Sequence, residues 1–170
     1  MGEARLSLTA LFVDGLAAQA AATQLSALIA EGAEDWWQEH RNEAPETFWP
    51  AFKARHPLTC QVLVHATYHD GKTCRHVRIL PDGENGDCDN GLAGVLDFAD
   101  NVFDDEEPRE LSRPVVKGRR LTYWAVTWYW AIWEPLAQWL LDLGAKEVRW
   151  ETPQGKFGIG RKCRQIKRCA

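Results

Sequence analysis

The 170-residue sequence predicts a single α+β domain, residues 1–170, with a mostly antiparallel sheet of four to five strands and helices packed on one face. Three observations predict it. Apolar residues alternate with polar ones near both ends of the chain, alanine-rich and amphipathic stretches lie between, and an Asp-Gly dipeptide separates two β-rich runs in the middle. The order strand, helices, two strands, helices, two strands is βαββαβ-like with an added C-terminal strand. The 45% hydrophobic and 26% charged residues suit a chain able to bury a core without disulfides or a metal.

Taken in order, residues 4–13 alternate Leu6, Leu8, Ala10 and Phe12 with Arg5, Ser7 and Thr9, as a half-buried strand does. Asp14 is placed to cap a helix running toward Trp36 and Trp37, with Gly32 as a candidate interruption. A second short helix is expected after Pro45, with Trp49 and Phe52 on one side. Residues 58–80 read as two strands around Asp70-Gly71, which suits a two-residue turn because both central positions require positive φ. Counting outward from that turn places His65 opposite His76, and Cys74 diagonally beside His65. Asn90 is a plausible cap for a helix with Leu92, Val95, Leu96, Ala99, Val102 and Phe103 on one stripe, and Asp97, Asp100, Asn101 and Asp104 opposite.

The stretch from Leu121 to Leu143 is strongly apolar. Mostly helix is the preferred reading; the alternative is a strand through about Val126, then a shorter helix with Pro135 in its first turn and Gly144 at its end. Glu147–Glu151 and Phe157–Ile159 around a Pro153–Gly155 turn predict a closing hairpin. Nine tryptophans, six of them within residues 124–150, must lie in a core or an interface. The run 122–141 has the length of a bilayer span, but Glu134, Pro135 and Gln138 interrupt it and Trp and Tyr dominate it, so no membrane span is expected.

Charge is sharply segregated within a net −4. Residues 82–110 hold eleven acids against Arg109 alone, whereas residues 154–170 hold six cations and no acid. The first pole suggests a non-enzymatic protein-binding module, inhibitor-like or an accessory subunit of a bacterial or phage type. Its acidic helix, with Asp97, Asp100, Asp104, Asp105, Glu106 and Glu107, would meet a basic protein or nucleoprotein partner by electrostatic steering. The second pole, the basic tail 161–170 with Lys156, Arg161, Lys162, Arg164, Lys167 and Arg168, suggests direct contact with nucleic-acid phosphates. The plainer reading of each is a solvated helix face and a strand end with a basic terminus.

A third possibility is a zinc-binding protein or enzyme on the 58–80 hairpin, since His65, Cys74 and His76 are donor types that zinc accepts and directly opposed Cβ atoms lie about 4.5–5.5 Å apart. The Cys-x-His spacing is not a standard zinc signature, so no cofactor is the default. Cys74 could instead act as a nucleophile with either histidine as base, but no orienting third group or oxyanion loop accompanies it. The loop 81–91 is rich in oxygen ligands yet lacks the EF-hand positions. The five cysteines are odd in number, and the opening residues MGEARLSLTA lack a long apolar run, so a cytoplasmic protein with free thiols is expected.

Overall fold

The computed structural model describes residues 4–40, 42–63, 65, 67–69, 76–78, 113–127 and 133–169. Its elements in chain order are β1 (Ala4–Leu11), α1 (Gly15–Ala30), α2 (Ala33–His40), α3 (Pro45–Arg55), α4 (Pro57–Leu63), β2 (Thr67–His69), β3 (His76–Arg78), β4 (Val115–Lys117), β5 (Arg120–Thr127), α5 (Trp133–Asp142), β6 (Glu147–Thr152), β7 (Gly155–Gly160) and β8 (Lys167–Cys169). The fold is α+β, and the chain divides into two compact units, residues 1–29 with 107–170, and residues 30–106.

The first unit is built on a six-stranded sheet in the order β4-β5-β1-β6-β7-β8, antiparallel throughout. The alternating pattern of residues 4–13 forms the inner strand β1, paired with β5 on one side and β6 on the other. Strand pleating then sorts side chains by parity. Leu8 and Ala10 of β1, Leu121 and Tyr123 of β5, Val148 and Trp150 of β6 and Ile159 of β7 are buried on one face. Helix α5 packs on β1, β6 and β7 from that side and brings Trp133 within 6.1 Å of the Tyr123 ring. Trp133 and Trp139 are among the most completely buried side chains, as the tryptophan density of this stretch requires. Burial also pushes the Tyr123 hydroxyl up to about 12.

Local signals set the element ends. The Asp14 carboxylate accepts the Ala17 N–H at 2.8 Å and its carbonyl the Ala18 N–H at 3.2 Å, so the expected cap begins α1. Ala18, Ala21, Ala22 and Leu25 form its buried stripe, and Gly32, at φ +56, separates α1 from α2. At the end of α5, Gly144 at φ +106 allows Ala145 N–H to reach the Leu140 carbonyl and Gly144 N–H the Leu141 carbonyl, each at 3.0 Å. This is the Schellman closure that a glycine at that position permits.

The expectation of mostly helix across 121–143 is overturned in favour of its alternative. Residues 120–127 are a strand, and Trp133–Asp142 is helix. Leu121 and Tyr123 enter the core while Thr122 and Trp124 face the other way, a period of two that a helix cannot satisfy. Pairing with all eight residues of β1 decides between the two periods. The closing hairpin forms as expected, with Trp150 opposite Phe157 at a ring separation of 6.0 Å and a turn at Pro153-Gln154. Strands β4 and β8, three residues each, extend the sheet beyond the predicted four to five.

The second unit gathers aromatic rings from α2 and α3. Phe48, Trp49 and Phe52 are buried, Phe48 and Phe52 stack at 5.4 Å, and Trp36 leans on both. Here the first part of the expected strand running from residue 58 toward the Asp70-Gly71 turn is helix α4 instead. Pro57 occupies a first helical position, where its missing N–H costs nothing. Thr59, Cys60 and Val62 are buried while Gln61 is exposed, a helical spacing. The remaining donors are met from a distance. Glu31 accepts Leu58 N–H and Thr59 N–H at 2.8 Å each and the Thr59 hydroxyl at 2.6 Å. A carboxylate there also complements the helix dipole. Glu31→Ala is expected to lower the unfolding free energy by about 1–3 kcal/mol, because two part-buried N–H groups lose their acceptor. A urea titration beside wild type measures it.

The hairpin has a different register. Thr67 pairs with Arg78, Tyr68 with Val77 and His69 with His76, so His76 faces His69 rather than His65. The two strands form a separate two-stranded sheet.

His56, between α3 and α4, is buried against Phe52 and Trp36, and neither ring nitrogen has a hydrogen-bond partner among the described residues. Burial is the largest influence and lowers its pKa; the Glu31 carboxylate opposes this and Arg55 reinforces it. With the folded value below the unfolded value of about 6.5, the unfolded chain binds the proton first. The stabilising contribution is complete above that pH and is lost as pH falls below it toward the folded value. Urea midpoints measured from about pH 7.5 down to about pH 5 are expected to fall, and to fall less in His56→Phe.

Candidate functional site

The sheet face opposite the core is the candidate site, and the register of the strands assembles it. One row across it reads Val115, Thr122, Thr9, Arg149, Gly158, Lys167 from β4 to β8; the next reads Trp124, Ser7, Glu151, Lys156, Cys169. Arg149, Glu151, Lys156 and Lys167 are exposed, and Ser7, Thr9, Thr122 and Trp124 are half-buried. Two clefts on this polar face are lined by described residues.

The larger, of about 640 Å³, lies over β6, β7, β8 and the loop after β7. Among the described residues five cations line it, Lys146, Arg149, Arg161, Lys162 and Lys167, against the single carboxylate of Glu147, a net charge of +4 for these six. Glu147 lies 3.4 Å from the Arg149 guanidinium in an exposed pair that costs little to separate. The middle of the cleft is low because Gly158 and Gly160 have no side chains to raise it. A Cβ at Gly158 would lie 3.3 Å from the Cys169 sulfur and 3.5 Å from the Arg149 side chain; at Gly160 the nearest atom would be a Lys146 carbonyl oxygen at 3.7 Å. Backbone bonds hold the rim. Lys146 N–H donates to Leu11, Arg161 N–H to Lys146 and Gly160 N–H to Cys163, at 2.7, 2.8 and 3.2 Å. Such a surface attracts anions and lets a backbone approach the sheet closely.

Of the six tail cations expected to act together, the structure places Arg161, Lys162 and Lys167 in the cleft and Lys156 beside it. Arg164 is turned away to Asp142 of α5, at 2.7 Å, while its carbonyl accepts a hydrogen bond from Gln138. Arg168 lies opposite Phe157, on the other side of the pleat, and its guanidinium donates to the Gln154 carbonyl at 2.8 Å. The tail is thus neither wholly free nor frayed, since Lys167–Cys169 is a strand. Lys146 and Arg149 are site residues that reading the tail alone misses; their signal was the predicted hairpin, whose pairing sets Arg149 against Gly158 and Glu147 against Gly160.

The second cleft, of about 450 Å³, is lined by Ser7, Thr122, Trp124, Glu151, Thr152 and Pro153. Its indole, hydroxyls and carboxylate contrast with the cationic lining of the first. The two adjoin, because Lys156 stands opposite Glu151 on one side and Cys169 on the other.

The other candidates stand differently. Asp97, Asp100, Asp104, Asp105, Glu106 and Glu107 lie outside the described residues, as do Cys74 and the loop 81–91. His65 is in a turn after α4 and His76 is in β3 opposite His69, so the direct opposition on which the zinc reading relied is not the register observed. Among the described residues no group of three or more His, Cys, Asp or Glu side chains is arranged to hold a metal ion. The described cysteines Cys60, Cys163 and Cys169 are free thiols, and burial pushes Cys60 up to about 12. No described helix is long and apolar enough to cross a membrane.

Fold and site together define a class: an α+β protein whose antiparallel sheet is helix-covered on one face and presents a cationic, glycine-floored cleft on the other. No protein-family model, curated protein or solved structure matches the chain.

Proposed function

We propose that the chain is a nucleic-acid-associated module that binds a single strand through the cationic cleft on its open sheet face. The observation that supports this reading most is the convergence of Lys146, Arg149, Arg161, Lys162 and Lys167 over a glycine floor. Cations neutralise phosphates and release counterions, while the glycines admit a backbone that a side chain would hold off. A single strand suits an open, gently twisted sheet better than a rigid duplex does, since its backbone can follow the strands. Fluorescence anisotropy with a labelled single-stranded oligonucleotide tests the reading. Affinity is expected to fall with salt at a log–log slope of about −0.7 for each phosphate neutralised. A slope near zero, or no binding at low salt, rejects it. Gly160→Leu fills the cleft where a Cβ meets only ordinary contacts, so it is expected to weaken binding while leaving the fold intact.

A second reading rests on the eleven acids of residues 82–110. In it Asp97, Asp100, Asp104 and Asp105, with Glu106 and Glu107, form a docking surface for a basic protein or nucleoprotein partner, in the manner of an inhibitor or accessory subunit. Reversing those four aspartates to lysine then abolishes complex formation in a pull-down; unchanged binding rejects it.

A further inference from the structure

We infer that the second cleft on the open sheet face is a nucleobase subsite, in which Trp124 stacks a base of the strand whose phosphates occupy the cationic cleft; this rests on the nucleic-acid reading and deepens it. The two clefts differ in chemistry in the sense such a division requires. Phosphates belong where cations outnumber carboxylates five to one. Among the described residues that line the second cleft none is a cation, and their one charged group, Glu151, would repel a phosphate while accepting hydrogen bonds from base N–H groups. Ser7 and Thr122 add hydroxyls that donate or accept, and the indole of Trp124 supplies the apolar wall. Stacking on an aromatic ring is the usual way a protein holds an unpaired base, whatever its sequence.

Position supports the same division. Trp124, Ser7, Glu151 and Lys156 are consecutive partners across β5, β1, β6 and β7, and neighbouring strands are about 4.8 Å apart. The indole therefore lies roughly 14 Å from Lys156 along one row of the sheet, with the carboxylate between them. A strand crossing from one cleft to the other meets, in order, a stacking surface, a hydrogen-bond acceptor and a cation. The indole is half-buried where the other tryptophans whose burial is described in this unit, Trp133, Trp139 and Trp150, are buried, so one tryptophan is kept at the surface of the face that carries the cations.

The experiment compares the full chain with Trp124→Thr, which preserves a β-branched residue in β5, and with Trp124→Phe, which preserves a ring. Each binds two probes of equal length and charge, an oligodeoxythymidylate and the same backbone made abasic, with circular dichroism as the folding check. Wild type is expected to bind the base-bearing probe about tenfold or more tightly than the abasic one. Trp124→Thr removes that preference without changing abasic affinity, and Trp124→Phe restores much of it. If wild type binds both probes equally, or if Trp124→Thr keeps the preference, the base subsite is overturned while polyanion binding stands. If neither probe binds wild type, the underlying reading falls as well. Should Trp124→Thr fail to fold, Trp124→Phe against wild type still decides, because a ring with less stacking area must narrow the preference without touching the abasic affinity.

Discussion

The triple variant Arg149→Glu, Lys162→Glu, Lys167→Glu is expected to lose single-strand binding by about two orders of magnitude or more at moderate salt. The three residues come from β6, from the loop after β7 and from β8, and they share the cleft only because the strands pair as they do. The reversals take the lining from +4 to −2, so the surface that drew phosphates repels them. The remaining salt response should be nearly flat, since few counterions are left to release. All three side chains are exposed, and surface reversals of this kind ordinarily change stability little. A matched control is Arg164→Glu with Arg168→Glu. Those cations lie in the same tail but point at Asp142 and at the Gln154 carbonyl, so binding should fall far less. Equal losses per reversed charge in the two variants would mean that net charge, rather than the cleft, governs binding.

The largest effect on stability is expected at Trp133. The side chain is 1% exposed, closes the first turn of α5 and meets Tyr123 across the core face of the sheet. Trp133→Ala removes a large aromatic from a site that relaxes only partly, at a cost of about 3–5 kcal/mol. Trp133→Phe should cost much less than the lost area suggests. The indole Nε1 has no hydrogen-bond partner among the described residues, and phenylalanine removes that unsatisfied donor together with part of the ring. Urea unfolding of both variants beside wild type measures the difference. The same technique applied to Trp124→Thr is expected to show a small change, because Trp124 is on the open face. Two tryptophans nine residues apart thus differ in stability cost, and the parity of β5 is the reason.

Features written into adjacent residues were legible before the structure. Asp14 as a cap, Gly32 as a break, Pro45 at a helix start, Gly144 at a helix end and the Pro153–Gly155 turn each follow from the backbone preferences of one or two residues. Elements stabilised from far along the chain were not. Helix α4 depends on Glu31, 27 residues before Leu58, to satisfy its first donors, so its own residues, rich in Val, Thr and Leu, read as strand. In 121–127 both strand faces carry apolar or aromatic side chains, which blurs a period of two until β1 is known to pair with it. The tail cations were visible as a cluster, but composition does not distinguish Lys162, in the cleft, from Arg164, tied to Asp142. Lys146 and Arg149 sit among Glu147 and Glu151 in a charge-balanced segment, and only the alternation of a strand puts Arg149 on the face that Gly158 opens. The acidic pole belongs to residues outside those described, so its reading still rests on the sequence.

Amide chemical shifts of the isotopically labelled full chain, followed during titration with a single-stranded oligonucleotide of about ten residues, test the cationic cleft most directly. The prediction is that the amides of Lys146, Arg149, Gly158, Gly160, Arg161 and Lys162 move together, and that their common midpoint rises with salt concentration. Shifts confined to other parts of the chain, or no shifts at low salt, would contradict it.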